Sequence, residues 1–273
     1  GTVATLGRGL ELANRTGQYQ TLQGNTAYDA LNNRLWWTEY RRSVIFQQKV
    51  RSTLCYIDFD KNRPRTAYMQ GRNILYPTPD DEGGLAWIEY QSNGIYSFHH
   101  RLCDGNERAF SLPFGEEIHS LAWDNTTRSH YCIITSDEGM HIAKIDPDYN
   151  ITPLTRPAYI TLSKLRAEDG ILYFGSISSG KDEVHCYDLA TGEEYRISNS
   201  RYGSFSPMPT HKGEVLMTTY DSNGYQLARQ TLNRKDMLRV EPSRLPINRI
   251  NPPKIWRIYW FFLRKCLTII IKF

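Results

Sequence analysis

Two short acidic segments alternate oxygen-bearing side chains along the chain: DFDKN, with Asp58, Asp60 and Asn62, and DPDYN, with Asp146, Asp148 and Asn150. Carboxylates at every second position are how a loop gathers hard oxygen ligands around calcium. Neither segment has the glycine that such a loop needs for its sharp turn, because Arg63 and Ile151 stand in that place, and no glutamate follows at the last ligand position. Both are therefore read as turns, which Asp and Asn make by bonding their own backbone. His99-His100 and the separate His119, His130, His141, His185 and His211 show no zinc-ligand spacing. They are expected on the surface or within strands, and no metal is expected.

Catalytic patterns are equally sparse. The acid pairs Glu116-Glu117, Asp137-Glu138 and Glu193-Glu194 supply the two carboxylates that a glycosidase requires, but adjacent acids in turns read more simply as solvated loops. Gly175-Ser176-Ile177-Ser178-Ser179-Gly180 lacks the G-x-S-x-G spacing of a nucleophile elbow, and its glycines suit a loop between strands. H-E-x-x-H, a Walker loop and G-x-G-x-x-G are all missing. The expectation is a protein that is not an enzyme and takes no cofactor. The 33 Lys and Arg are scattered and leave a net charge of only +4, so no nucleic-acid partner is expected. Of five cysteines, Cys55, Cys132 and Cys186 fall in apolar runs, where a free thiol packs as a small hydrophobe.

The elements that hold these residues repeat. "LWWTEY" begins at 35, "LAWIEY" at 85, "YCIITS" at 131, "LYFGSI" at 172 and "VLMTTY" at 215, giving offsets of 50, 46, 41 and 43 residues. Each apolar run is too short for a helix and reads as a buried strand. A strand and polar turn precede each run, as in "NILYPTPDDEGG" and "YITLSKLRAEDG", and a third strand follows, as in "GIYSFHHRL" and "DEVHCYDL". More polar fourth strands follow in "RPRTAYMQ", "ERAFSLP", "NITPLTRP" and "EEYRISNS". Serial four-stranded units of this period are satisfied by an all-β propeller of antiparallel blades. Five blades are visible, at 25–71, 72–114, 115–157, 158–200 and 201–239. Residues 1–24 hold a partial sixth, since "LANRTGQYQ" parallels the third and fourth strands in "LATGEEYR".

The stretch "FSPMPTHKGEVLMTTYDSNGYQLARQTL" resembles the repeat of TolB-type (PD40, WD40-like) propellers. Ser206-Pro207 is present, while His211-Lys212-Gly213 replaces the usual Asp-Gly turn and the other blades lack the Ser-Pro. The resemblance extends over roughly residues 7–235. The aromatic-rich blades also look like the propeller segment of long bacterial cell-envelope chains that add a metallopeptidase-like region and an outer-membrane barrel; neither occurs in this sequence. What the resemblance implies is a binding or scaffolding module in the periplasm or at the outer membrane. The alternative is a propeller hydrolase with carboxylates at its channel mouth, or a propeller that gates a peptidase in a longer chain.

In a propeller, the loops from second to third strands and the junctions between blades gather on one face around the channel. Those loops carry Tyr40, Arg41, Arg42, Tyr90, Lys181, Tyr220, Asp221 and Asn223, and the junctions carry Arg72, Arg201 and Tyr202. Tyrosine and arginine are enriched at binding hot spots, which makes this face the candidate for a protein, peptide or glycan ligand. Tyr40, Tyr90 and Tyr220 are equally readable as strand caps, and both readings stay open. The opening "GTVATLGRGLELANRTG" has no initiator Met, basic region or long apolar core, so a removed signal or a piece of a longer chain is expected. From 240 to 273 the pattern departs from blades. Residues 255–273 are apolar but carry Arg257, Arg264, Lys265 and Lys272, which suits an interfacial membrane anchor better than a spanning helix. An ending displaced from the propeller's own continuation is the other reading.

Overall fold

The computed structural model describes residues 28–42, 45, 50–61, 66–69, 73–210, 212–233 and 237–240. The chain divides into two compact units, Gly1–Val240 and Glu241–Phe273, and every described residue belongs to the first. The partial sixth blade read in residues 1–24 and the apolar tail at 255–273 lie outside the described residues.

Among the described residues twenty strands form five antiparallel sheets, each wound in sequence order from the axis outward. Blade one holds β1 (Tyr28–Leu31), β2 (Arg34–Arg42), β3 (Val50–Asp58) and β4 (Thr66–Met69). Blade two holds β5 (Ile74–Pro79), β6 (Leu85–Tyr90), β7 (Tyr96–Arg101) and β8 (Glu107–Ser111). Blade three holds β9 (Glu117–Asp124), β10 (Ser129–Ser136), β11 (Gly139–Ile145) and β12 (Ile151–Pro153). In blade four, β13 (Leu162–Glu168), β14 (Ile171–Ser176), β15 (Glu183–Asp188) and β16 (Glu193–Arg196) are joined by a fifth strand, β20 (Leu238–Arg239). Blade five keeps three: β17 (Ser204–Thr210), β18 (Glu214–Asp221) and β19 (Gly224–Thr231).

The second strands coincide with the five repeated runs. They read as almost continuously apolar because both faces are covered by neighbouring blades, so no polar face is needed. Four apolar seams result. Trp36 and Leu54 meet Ile74, Leu85 and Trp87 between blades one and two. Ala86, Ile88 and Phe98 meet Ile118, Leu121, Cys132 and Ile134 between blades two and three. Tyr131, Ile133 and Ile142 meet Leu165, Leu172 and Phe174 in the next seam, and Tyr173, Val184 and Cys186 meet Val215 and Met217 in the last. Cys55, Cys132 and Cys186 are buried free thiols, and desolvation pushes the Cys132 thiol up to about 12, which keeps it inert.

Blade five departs from the repeat. Leu238–Arg239 falls inside the 25–239 propeller span but pairs with β16 of blade four, Tyr195 opposite Arg239, instead of extending blade five. The exposed edge of β16 carries Glu193, whose carboxylate holds the Arg239 guanidinium at 2.8 Å. Among the described residues β19 is the last strand of its sheet, and Tyr225 and Leu227 on it stand 72% and 63% exposed.

Turn carboxylates lock blade to blade. Asp124, fully buried, accepts from the Thr127 amide at 2.8 Å and its hydroxyl at 2.7 Å, and then from the Gly170 amide of blade four at 2.9 Å. Replacing it orphans donors that water reaches poorly. Asp124→Ala is expected to lower stability by about 2 kcal/mol in urea denaturation; a loss below about 0.5 kcal/mol, the range of an ordinary surface change, would show that these turns do not depend on the carboxylate.

Candidate functional site

The innermost strands shape the central channel. In β5, β13 and β17 the register with the second strand slips by a bulge, between Leu75 and Thr78, Ser163 and Arg166, and Phe205 and Met208. A bulge re-aims the residues it displaces. Tyr76, Lys164 and Ser206 take left-handed backbone there, with φ of 51°, 54° and 52°, a conformation that non-glycine residues rarely adopt. In β9 the slip falls at His119. His119, Lys164 and Ser206 are exposed, while the next residues, Ser120, Leu165 and Pro207, are buried; Tyr76 is half-buried against the seam between blades two and three. Each bulge lies two residues into its strand, close to the blade junctions and so to the face carrying the candidate loops.

Deeper along the same strands, Arg166 Nη1 of blade four lies 3.9 Å from Asp29 Oδ2 of blade one. These blades are not neighbours, so the pair spans the axis. Asp29 keeps 28% of its side chain accessible, yet surrounding protein desolvates it enough to push its carboxyl up, with Arg166 opposing. Asp29 lies on β1 and Arg166 on β13, the first strands of their blades. Lys164 shares that setting: desolvation, then the charge of Arg166, lowers its ammonium below the ordinary lysine value.

On the loop face, the ends of second strands and the second-to-third-strand loops are tied to adjacent blade junctions. The Tyr90 amide donates to Asn73 O at 3.0 Å, the Ser204 amide to Asp182 O at 2.8 Å and the Tyr220 amide to Gly203 O at 3.2 Å. Arg201, Tyr202, Tyr220, Asp221 and Asn223 thus come together at blade five. The Arg201 guanidinium lies 5.1 Å from the Tyr202 ring, and Tyr220 meets Tyr225 edge-on at 5.0 Å. Asp221 caps its own turn by accepting from the Asn223 amide at 2.7 Å. Tyr90 stands apart, 41% exposed and packed on Tyr96. Lys181 is engaged within the protein: its ammonium pairs with fully buried Glu183 at 2.8 Å and bonds the Ser200 carbonyl. Tyr40, Arg41 and Arg42 end β2 opposite Ser52, Arg51 and Val50; their side chains, and Arg72, lie outside the described residues.

The acidic segments make turns. Asp58 holds Arg34 at 3.2 Å and Lys61 at 3.6 Å and accepts from the Asp60 amide, and Asp146 accepts from the Asn150 amide at 2.8 Å. Asn62 lies outside the described residues. Among the described residues no group of three His, Cys, Asp or Glu is arranged to hold a metal ion. Sequence spacing missed a buried polar chain between blades two and three. His100 Nε2 donates to Asp80 Oδ2 at 2.7 Å, and its Nδ1 meets the Tyr149 hydroxyl at 3.0 Å. Burial pushes the Asp80 carboxyl up, but the bonds from His100 and the Gly84 amide outweigh it and hold the carboxyl below its usual value. A side chain at Gly84 would collide with Asp80 and His100. His130 closes the cluster, its ring 4.9 Å from His100 and 4.6 Å from Trp123, with Nε2 unpartnered. This network sits at the turns opposite the loop face, sealed from solvent, and its role is structural.

The sequence matches no protein-family model and no curated protein. Solved structures match the fold. A putative TolB from Agrobacterium tumefaciens superposes with a TM-score of 0.62 at 15% identity, over 81% of this chain and 82% of that one. TolB from Acinetobacter baumannii gives 0.60 at 16% identity over 78% of this chain and 54% of that one, so the chain spans about half the length of that protein. A puromycin hydrolase gives 0.58 at 12% identity over 80% of this chain and 40% of that one. The chain has the β-propeller fold, which it shares with the TolB structures and with the propeller of the hydrolase.

His130 gives the cluster a pH signature. Desolvation, then the neighbouring His100, pushes its imidazole from 6.5 down to about 3, with Asp80 opposing. The unfolded chain takes up a proton at 6.5 that the folded chain refuses until about 3, so this stability is whole above pH 6.5 and is lost as pH falls through that window. The expected slope is about 1.4 kcal/mol per pH unit. His130→Phe, which suits the ring-lined site, is expected to remove that slope in denaturation series from pH 7 to 4; parallel curves for both proteins would show that His130 is protonated in the fold.

Proposed function

We propose that this chain is a non-catalytic binding module of a bacterial cell-envelope protein, and that it captures a protein or peptide partner on the loop face of its propeller. The observation that carries this reading is the cluster at blade five. Arg201, Tyr202 and Tyr220 are exposed, yet backbone bonds tie the loops that bear them to one another. Such a surface offers flat rings and a guanidinium fork with little motion left to lose on binding. The carboxylates beside it are committed, Asp221 to its turn and Glu183 to Lys181. The TolB-like fold supports an envelope setting, and the resemblance of the repeats themselves points the same way. Tyr90, exposed at the end of β6, joins this reading as a separate contact.

Affinity capture from bacterial envelope extract, followed by measured binding of the recovered partner, tests this. Tyr220→Ala and Arg201→Ala are each expected to weaken binding about 30-fold, the effect of losing a hot spot of about 2 kcal/mol. Asn125→Ala, in the exposed turn between β9 and β10 at the opposite end of the blades, serves as the unaffected control. A partner whose affinity ignores both substitutions overturns the assignment of this face. Turnover of glycan or peptide libraries by the chain, abolished by changing a channel acid, overturns the non-catalytic reading.

A further inference from the structure

The acid pairs Glu116-Glu117 and Asp137-Glu138, separate in the sequence, come together at the loop end of blade three. Glu117 opens β9 and lies opposite Thr135 near the end of β10, and Asp137 and Glu138 make the turn from β10 to β11. None of the four carboxylates has a lysine or arginine partner among the described residues; the one ion-pair contact is His119 Nε2, 3.5 Å from Glu117. Arg156, exposed at the exit of the same blade, makes no ion pair with them. At the opposite end of the blades, Asp58, Asp124 and Asp146 accept from backbone amides instead. Beside the four acids His141, opposite Ile134, is only 8% exposed, and its Nδ1 has no hydrogen-bond partner among the described residues. Burial holds its imidazole below the ordinary value against the upward pull of Glu116 and Glu138, so at neutral pH it offsets none of their charge. Two exposed rings flank the acids. Phe114, 82% exposed, lies against Gly94 of the β6–β7 loop, and Tyr159, 70% exposed, donates its hydroxyl to the Asp137 carbonyl at 2.6 Å.

We propose that this acidic, ring-flanked patch on blade three docks an arginine-bearing segment of a protein partner. Charge selects the sign of the ligand. Four carboxylates without a basic partner, on a chain whose net charge is +4, repel one another, and a cation placed among them relieves that repulsion. Among the described residues no group of three His, Cys, Asp or Glu is arranged to hold a metal ion, which favours an organic cation. The rings select within that class. A guanidinium lies flat on an aromatic face while its edge donates to carboxylates, whereas an ammonium is a more strongly hydrated point charge. The unpartnered His141 nitrogen, in the tautomer that carries its proton on Nε2, is one more acceptor beside Glu116 and Glu138. A single exposed ion pair gains little, so the occupant that uses all four acids is a segment that spaces several cations along one backbone. This contact goes beyond the blade-five reading and uses none of that cluster's residues.

Titration calorimetry at about 20 mM salt, where screening is weak, tests it with capped tetrapeptides of arginine, of lysine, and of citrulline, which keeps the shape of arginine without its charge. The arginine peptide is expected to bind, the lysine peptide severalfold more weakly and the citrulline peptide about tenfold more weakly. The double variant Glu117→Gln, Glu138→Gln, at two exposed positions, is expected to weaken the arginine peptide about tenfold. Phe114→Ala should reduce arginine binding more than lysine binding, a change of preference that lost structure alone does not produce. Asp169→Asn, at an exposed carboxylate in the turn between β13 and β14, should leave binding unchanged. Tyr220→Ala should also leave it unchanged, so failure here and failure of the blade-five proposal are distinguishable. Circular dichroism separates lost binding from lost fold, and Glu138→Gln alone carries the comparison if the double variant does not fold. Equal affinity for arginine and citrulline peptides, indifference to the carboxylate variants, an equal loss on Asp169→Asn, a requirement for calcium, or binding of spermine with none of the arginine peptide would each overturn the assignment.

Discussion

Everything in this propeller depends on the burial of two-faced sheets against one another. A four-stranded antiparallel sheet with apolar residues on both sides has no stable existence in water; its neighbours supply the missing half of its core. Trp87 illustrates the constraint, being wholly buried, joined to the seam with blade one and stacked on His99 of its own blade at 5.4 Å. Because each seam is made by two successive blades, stability is a chain of nearest-neighbour contacts. Polar groups in the seams include Asp124, engaged by the turns of blades three and four, and Asp80, engaged by His100.

The same constraint decides where function is free to reside. Strand centres are committed to the seams, so variation is confined to strand ends, junctions and the residues that the bulges turn toward the axis. The two ends of the blades then diverge in character. At the turns between first and second strands, carboxylates bond inward to backbone amides and to a buried histidine. On the loop face, Arg201, Tyr202 and Tyr220 stand outward on segments that backbone bonds hold together. Rigid loops with uncommitted side chains are what a recognition surface requires.

The architecture was legible because burial on both faces writes itself into the sequence as repeated apolar runs. "LWWTEY" and its four counterparts became the second strands, in register at Leu35, Leu85, Tyr131, Leu172 and Val215. What spacing left hidden was pairing between blades. Nothing near His100 in the sequence names Tyr149, and nothing near Asp29 names Arg166, since both pairs arise only when separate blades are brought round one axis. Lys181 read as a contact residue because its loop lies between second and third strands; that the following strand, β15, would bury Glu183 beneath it depends on the junction folding back through Ser200. The strand at Leu238–Arg239 was unforeseen for a similar reason, its partner being an acidic sheet edge one blade earlier.

Blade five shows how a local exception extends the argument. With Leu238–Arg239 given to blade four, β19 keeps one face in the seam, through Ala228, and turns Tyr225, Leu227 and Arg229 to the other side. Its alternation of covered and uncovered residues is the pattern of a strand half-buried in a sheet, in contrast to β10, where six successive residues are buried. Tyr220 and Tyr225, opposite each other in the hairpin, therefore present their rings where the continuous seams of the other blades end. Among the described residues, the exposed aromatic pair Tyr220 and Tyr225 and the three-stranded sheet of blade five occur together, where the repeat stops burying its own aromatics.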